Sequence, residues 1–196
     1  MIVFDLGGVL ADHHDKESAT AAVLGVSVSD LEGPYWAHRQ AYDEGCGNLD
    51  YWGRIGADLG LEISESLADT LGVTDSDAWA GIRPTARAIL ADLHEAGVPT
   101  AILSNAPVDM YEAIDRGPWR DLVGPLFVSG VLGVAKPDLE IYRHVSQTLG
   151  LDGSDLWFID DKLINVHGAI ASGWNAHHWK SDEDTRAWLQ TIGVLA

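Results

Sequence analysis

Cysteine is nearly absent from this chain. Cys46 stands alone, so no internal disulfide can form. That usage suits a reducing compartment, and a cytoplasmic location is the expectation. Basic residues are also scarce: 12 Lys and Arg stand against 30 Asp and Glu, a formal net charge of -18. Nucleic acids and anionic membranes are bound through basic patches, so neither is expected as a partner. A small anionic substrate stays compatible, because a local site can be positive within a negative protein. No apolar run approaches the roughly 18 residues of a membrane span. The N-terminus has no basic region and no cleavage-site pattern. There is no internal repeat, no low-complexity tract, no GxGxxG and no P-loop, so a nucleotide-binding reading lacks its fingerprint. What remains is 196 residues at 46% hydrophobic and 21% charged, an ordinary globular composition that is long enough to bury a core without disulfide or metal staples.

The chain opens MIVFDLGGVL. A short apolar run with β-branched and aromatic residues ends in Asp5, and paired glycines follow. This predicts a buried strand that carries a carboxylate to its C-terminal edge and then turns sharply. Such a carboxylate serves as a metal ligand, a nucleophile or both, or else it caps a turn. Gly7 and Gly8 let backbone N–H groups approach an anion. From Asp12 to about Trp79 helical periodicity takes over. Ser29 or Asp30 caps a helix through Trp36, Arg39 and Tyr42; Leu49, Trp52, Ile55 and Leu59 mark a second that ends at Gly60; Ser64 opens a third, short one through Leu67 and Leu71. Strand and helix then alternate: a helix from Pro84, a strand at 100–103 ending in Ser104-Asn105, a helix at 108–114, a strand at 126–128, a helix after Lys136-Pro137-Asp138, a strand at 156–159 ending in Asp160-Asp161, a helix at 163–171, a strand at 174–179 and a terminal helix at 185–192. The pattern implies an α/β fold, a Rossmann-like parallel sheet with helices on both faces and a small inserted α-helical cap. The expected division is a core of residues 1–14 and 80–196 with a helical cap at 15–79.

In a parallel sheet the strand ends at Asp5, Ser104-Asn105 and Asp160-Asp161 share one edge, and Lys136 enters the same rim. Adjacent carboxylates at Asp160 and Asp161 repel unless a cation offsets them. With Asp5 opposite, Mg²⁺ is the natural occupant, since it takes oxygen ligands and leaves room for a substrate phosphate. Gly7, Gly8, Ser104 and Lys136 could then hold the phosphate oxygens, and Lys136 would neutralise charge on Asp5.

Four ordered motifs, FDLGGVL (4–10), ILSNAP (102–107), KPDLEIY (136–142) and FIDD (158–161), together resemble the haloacid dehalogenase-like hydrolase superfamily. The first motif is similar to that of a subgroup containing sugar-1-phosphate phosphatases and the phosphatase domain of epoxide hydrolases. The resemblance implies a Mg²⁺-dependent phosphatase of a small phosphorylated metabolite. Asp5 would form an aspartyl-phosphate. Asp5, the carbonyl of Gly7 and Asp161 would hold Mg²⁺, with Asp160 on or near it; Ser104 and Asn105 would bind the transferring group, and Lys136 would steady it. A small phosphorylated substrate and a monomer or homodimer are expected.

Most phosphatases of this family carry a second Asp two residues after the nucleophile as general acid and base. Here that position is Gly7, and a missing acid costs about 10²- to 10⁴-fold. Either the substrates have good leaving groups, such as sugar 1-phosphates or acyl phosphates, or Asp12, His13 or His14 supplies the proton. The alternatives are a 2-haloacid dehalogenase, which also lacks the second Asp but needs no cation, and a catalytically weak binding or regulatory protein. Trp36, Arg39, Tyr42 and Trp52 read as packing residues, with Arg39 or Trp36 the candidates to face substrate. His177 and His178 read as structural, and neither His167 nor Cys46 has a catalytic context.

Overall fold

The computed structural model describes residues 1–196. Five parallel strands form one sheet: β1 (Ile2–Phe4), β2 (Thr100–Ser104), β3 (Leu126–Val128), β4 (Trp157–Asp160) and β5 (Asn175–His178), in the order β3-β2-β1-β4-β5. The chain's first strand is thus the middle one, with Ile2 paired to Thr100 on one side and Trp157 on the other. Strand side chains alternate between faces. Ile2, Phe4, Ile102 and Ile159 accordingly enter one core beneath the helices α5 (Pro84–Glu95), α6 (Asp109–Asp115) and α10 (Asp182–Thr191). Val3, Leu103 and Phe158 enter the other, against α8 (Leu139–Leu149) and α9 (Leu163–Ala171). A one-turn helix, α7 (Ser129–Leu132), follows β3. The expected α/β architecture of a parallel sheet covered on both faces is what the chain adopts. No helix is long and apolar enough to cross a membrane.

Between β1 and α5 lie four helices: α1 (Ser18–Leu24), α2 (Val28–Asp43), α3 (Asn48–Leu59) and α4 (Glu65–Ala80). They share a separate core that includes Leu31, Tyr35, Tyr51, Trp52, Ile55 and Leu71. Full burial contributes about 1.5–3 kcal/mol for each large apolar side chain, which holds together helices too short to persist alone. Three details differ from the sequence expectation. The α2 N-cap is Ser27, not Ser29 or Asp30; its Oγ accepts from Asp30 N at 3.2 Å and donates to the Asp30 carboxylate at 2.6 Å, a box-like arrangement that fixes the start two residues earlier. Helix α1 was not foreseen, because its apolar residues are mostly alanine. Helix α4 runs to Ala80 instead of ending near Leu71, since its last turns are held by polar contacts of Asp75 and Trp79 that hydrophobic spacing does not register.

Candidate active site

Asp5 follows β1 and is buried at the carboxyl edge of the sheet. Its Oδ1 accepts from Leu6 N at 2.7 Å and lies 2.9 Å from Lys136 Nζ, while its Oδ2 enters no hydrogen bond. Burial pushes the Asp5 carboxyl up; Lys136 opposes that shift, and Asp160 and Asp161 add to it. Lys136 Nζ also donates to Asp160 Oδ2 at 2.7 Å and to the Leu103 carbonyl at 2.9 Å. All three ammonium donors are therefore engaged. Burial alone would push Lys136 down, but Asp160 and Asp5 hold it charged, above its ordinary range.

Asp160 ends β4 and is fully buried. Beyond Lys136 it accepts from Lys162 N at 2.8 Å and, through both oxygens, from Asn165 Nδ2 at 3.0 Å. Asp161 is different. Its Oδ1 is buried with no partner at all, and its Oδ2 is 3.6 Å from His13 Nε2. One oxygen from each of Asp5, Asp160 and Asp161 can be found within 4.8 Å of the others. A buried carboxylate oxygen without a donor costs several kcal/mol unless a cation meets it, so the donor set fits an oxygen-seeking divalent ion such as Mg²⁺.

The other residues singled out from the sequence divide. Ser104 is buried at the end of β2, lines the cavity and has an Oγ with no protein partner. The Gly7 carbonyl and N–H enter no hydrogen bond. Gly8 does not fit the phosphate role expected of it: its N–H donates to the Ala11 carbonyl at 2.8 Å. What Gly8 supplies is space, with a φ of +82° and a position where a Cβ would sit 2.6 Å from both Asp161 Oδ2 and His13 Nε2. The Asn105 side chain brackets the Lys136 backbone instead of pointing a free donor at a phosphate: Nδ2 donates to the Lys136 carbonyl and Oδ1 accepts from Lys136 N, both at 2.8 Å. His13 lines the cavity, whereas Asp12 turns to Arg83 at 3.4 Å and His14 does not line it. His178, read as structural, accordingly ties down the Asp161 backbone carbonyl at 2.9 Å.

Sequence reasoning missed Asn165, Lys162 and Trp79. Asn165 lies one turn past Asp160-Asp161 at the start of α9, a spacing that marks it as a partner for that pair. Trp79 gives no such signal, because only the fold brings the end of α4 over Gly7. A Cβ at Gly7 would lie 3.4 Å from the Trp79 ring, so this indole stands where a side chain at position 7 would point. The cavity above Asp5 has a volume of about 360 Å³ and is walled on its far side by Trp36, Arg39, Gln40, Asp43 and Glu44 of α2.

Several curated relatives match most of the chain. A sesquiterpene phosphatase from Aspergillus oryzae is 28% identical over 87% of this chain and 85% of its own length. An (S)-2-haloacid dehalogenase from Burkholderia cepacia is 28% identical over 88% of this chain and 79% of its own. Among solved structures, an enzyme of the haloacid dehalogenase family from Bacteroides thetaiotaomicron, in complex with magnesium and inorganic phosphate, superposes with a TM-score of 0.68 at 20% identity, covering 91% of this chain and 93% of that one. The family described as haloacid dehalogenase-like hydrolase matches residues 1–173. With nearly the whole chain matched and its four motifs gathered on one sheet edge, the protein belongs to the haloacid dehalogenase-like hydrolase family.

Proposed function

We propose that the protein is a Mg²⁺-dependent phosphatase acting on a small phosphorylated metabolite, with sugar phosphates among the candidates, and that α1–α4 act as a cap over the site. The observation that carries this reading is the buried, unpartnered Asp161 Oδ1 beside Asp5 and Asp160. A dehalogenase needs no cation, so the Asp160-Asp161 pair argues against that reading.

In this reading Asp5, the Gly7 carbonyl and Asp161 would hold the ion, with Asp160 on or near it, and the ion would supply charge neutralisation for a phosphoryl group. Asp5 Oδ2, free of hydrogen bonds, attacks phosphorus; a P–O bond forms to the carboxylate as the bond to the leaving oxygen breaks. Water then attacks the aspartyl-phosphate, returning Asp5 and releasing inorganic phosphate. Ser104 Oγ and the Gly7 N–H bind phosphoryl oxygens. Lys136 keeps Asp5 anionic and aligned, and Asn105, Asp160 and Asn165 position Lys136 and the loop around it. Positioning and electrostatics supply most of the rate in such transfers. Of the three residues considered for the leaving-group proton, His13 is the one that lines the cavity.

The test is a panel of phosphate monoesters and acyl phosphates, with Mg²⁺ or with chelator, beside Asp5→Asn. Phosphate release that requires both Mg²⁺ and Asp5 is the expected result. Chloride release from 2-chloropropionate in the presence of chelator would instead identify a dehalogenase. Tight ligand binding with no turnover on any arm would mark a binding protein. If His13→Ala slows esters of poor leaving groups but spares acyl phosphates, His13 is the proton donor; equal rates on both exclude it.

A further inference from the structure

One indole links the two ends of the cavity. The Trp79 ring lies over Gly7 at the sheet edge, and its centroid is 5.9 Å from Arg39 Cζ on α2. A phosphate ester whose phosphoryl group is held near Gly7 thus brings the end of a short leaving group to Arg39. Arg39 lines the cavity and is only 7% exposed. Its Nε donates to Asp43 Oδ1 at 2.8 Å, and its Nη1 donates to Asp75 Oδ2 at 2.9 Å and to Tyr35 Oη. These bonds fix the plane of the guanidinium. Its Nη2 donates to no protein atom and is not sealed away from the cavity. A free donor on a buried guanidinium is costly unless water or a ligand oxygen meets it.

A second cation stands on the opposite rim. Lys162 lines the same cavity just before α9. Its backbone N–H donates to Asp160 Oδ1 at 2.8 Å, while its exposed ammonium enters neither an ion pair nor a hydrogen bond. Burial pushes the Asp43 carboxyl up, and both Arg39 and the Lys162 ammonium oppose that push, which places Lys162 toward the α2 end. This wall is not positive as a whole, because Asp43, Glu44 and the buried Asp75 accompany the two cations. Its selectivity lies in which donors are left over. Asp43 and Asp75 are held by Arg39, and Glu44 accepts from Gln40 Nε2 at 3.0 Å. Arg39 Nη2 and the Lys162 ammonium remain.

We infer that Arg39 and Lys162 are specificity-determining residues that receive a carboxylate on the leaving group. The inference rests on the phosphatase reading only for the phosphoryl group at the other end of the cavity. A carboxylate presents two coplanar oxygens, one for the fixed guanidinium nitrogen and one for the ammonium that reaches in from the rim. Charge-assisted bonds of this kind are stronger than those to a neutral oxygen, so a hydroxyl in the same place is the weaker ligand. A second phosphate would set more negative charge against Asp43, whose Oδ2 is itself unpaired, and is disfavoured for that reason.

The test is a set of ligands on one three-carbon frame: 3-phosphoglycerate, glycerol 3-phosphate and glycerol 1,3-bisphosphate. Binding is measured by calorimetry to Asp5→Asn protein with Mg²⁺, so that no turnover intervenes. 3-Phosphoglycerate should bind at least about tenfold more tightly than glycerol 3-phosphate. Adding Lys162→Gln should cut that ratio at least about threefold. Adding Arg39→Lys, which keeps a cation for Asp43 and Asp75 but removes Nη2, should cut it as well; an Arg39 that only braces the helices would weaken both esters alike. Lys162 is exposed, so its variant keeps the test decisive if Arg39→Lys folds poorly. Equal binding of the two esters, a ratio unmoved by Lys162→Gln, tighter binding of the bisphosphate than of 3-phosphoglycerate, or no binding of any of the three overturns the inference. Hydrolysis of the same ligands by the unaltered protein reads the phosphatase activity separately. Selective binding without phosphate release would sink that activity and leave the carboxylate site standing.

Discussion

Gly8 shows how closely the site is built around single atoms. Its backbone takes a left-handed φ of +82°, and the Cβ it lacks would collide with the carboxylate of Asp161. Gly8→Ala therefore combines backbone strain of about 1–3 kcal/mol with displacement of a proposed metal ligand. A lowered melting temperature together with weaker Mg²⁺ binding by calorimetry is expected; loss of stability with unchanged Mg²⁺ affinity would detach Asp161 from the ion. Asp43 permits a test by pH. Burial pushes its carboxyl up to about 6, with Arg39 pulling the other way. The folded state thus binds the proton more tightly than the unfolded chain, whose Asp titrates near the ordinary 3.8. The stabilising contribution of this group is complete below about pH 4 and is lost as pH rises through about 6. Asp43→Asn should flatten the fall in melting temperature over that window, and an unaltered slope would show that Asp43 titrates normally.

At the level of elements, the helical insertion is tied to its own interior by a polar link. Asp75, on α4 and fully buried, accepts from Tyr35 Oη at 2.6 Å and from Arg39 Nη1 at 2.9 Å. Trp79 Nε1 in turn donates to Tyr35 Oη at 2.9 Å, which connects α2 to the indole over Gly7. Asp75→Ala leaves the Arg39 guanidinium buried and half paired, which costs about 3–5 kcal/mol. Urea unfolding should register that loss; a change under 1 kcal/mol, on the order of an exposed pair, would mean water replaces the carboxylate. These elements also show what the sequence could and could not disclose. Strands ending in Asp5, Ser104 and Asp160 were legible because a buried parallel strand reads as an uninterrupted apolar run, and its polar terminus stands out. Helix α9 was legible from end to end because the Asp160-Asp161 strand end precedes it and Gly173 follows it. The reach of α4 to Ala80 was not, since Asp75 and Trp79 are held by partners on α2, forty residues away. Nor could the sequence say that the Asn105 amide and the Gly8 N–H are engaged by protein partners, because a motif names residues and leaves their hydrogen bonds open.

For the whole molecule, the net charge of -18 bears on encounter with an anionic substrate. The global field repels a phosphate ester, whereas the proposed Mg²⁺-loaded site would attract it. At about 10 mM salt that field reaches roughly 30 Å, and at about 150 mM roughly 8 Å. At fixed Mg²⁺, kcat/KM for a phosphate ester should rise severalfold between those conditions. A fall with added salt would mean that local attraction governs the approach.

The position of β1 has a consequence for synthesis. Its pairing partners, β2 and β4, begin only at Thr100 and Trp157. At about 5–20 residues per second on the ribosome, the nascent strand waits on the order of ten seconds before both neighbours exist. Throughout that interval Ile2, Val3 and Phe4 are a greasy, unsatisfied edge. The insertion, whose helices contact near neighbours, is free to consolidate first. Translation order would thus finish the helical insertion before the sheet, and the loop after Asp5 would be among the last parts of the nascent protein to take shape.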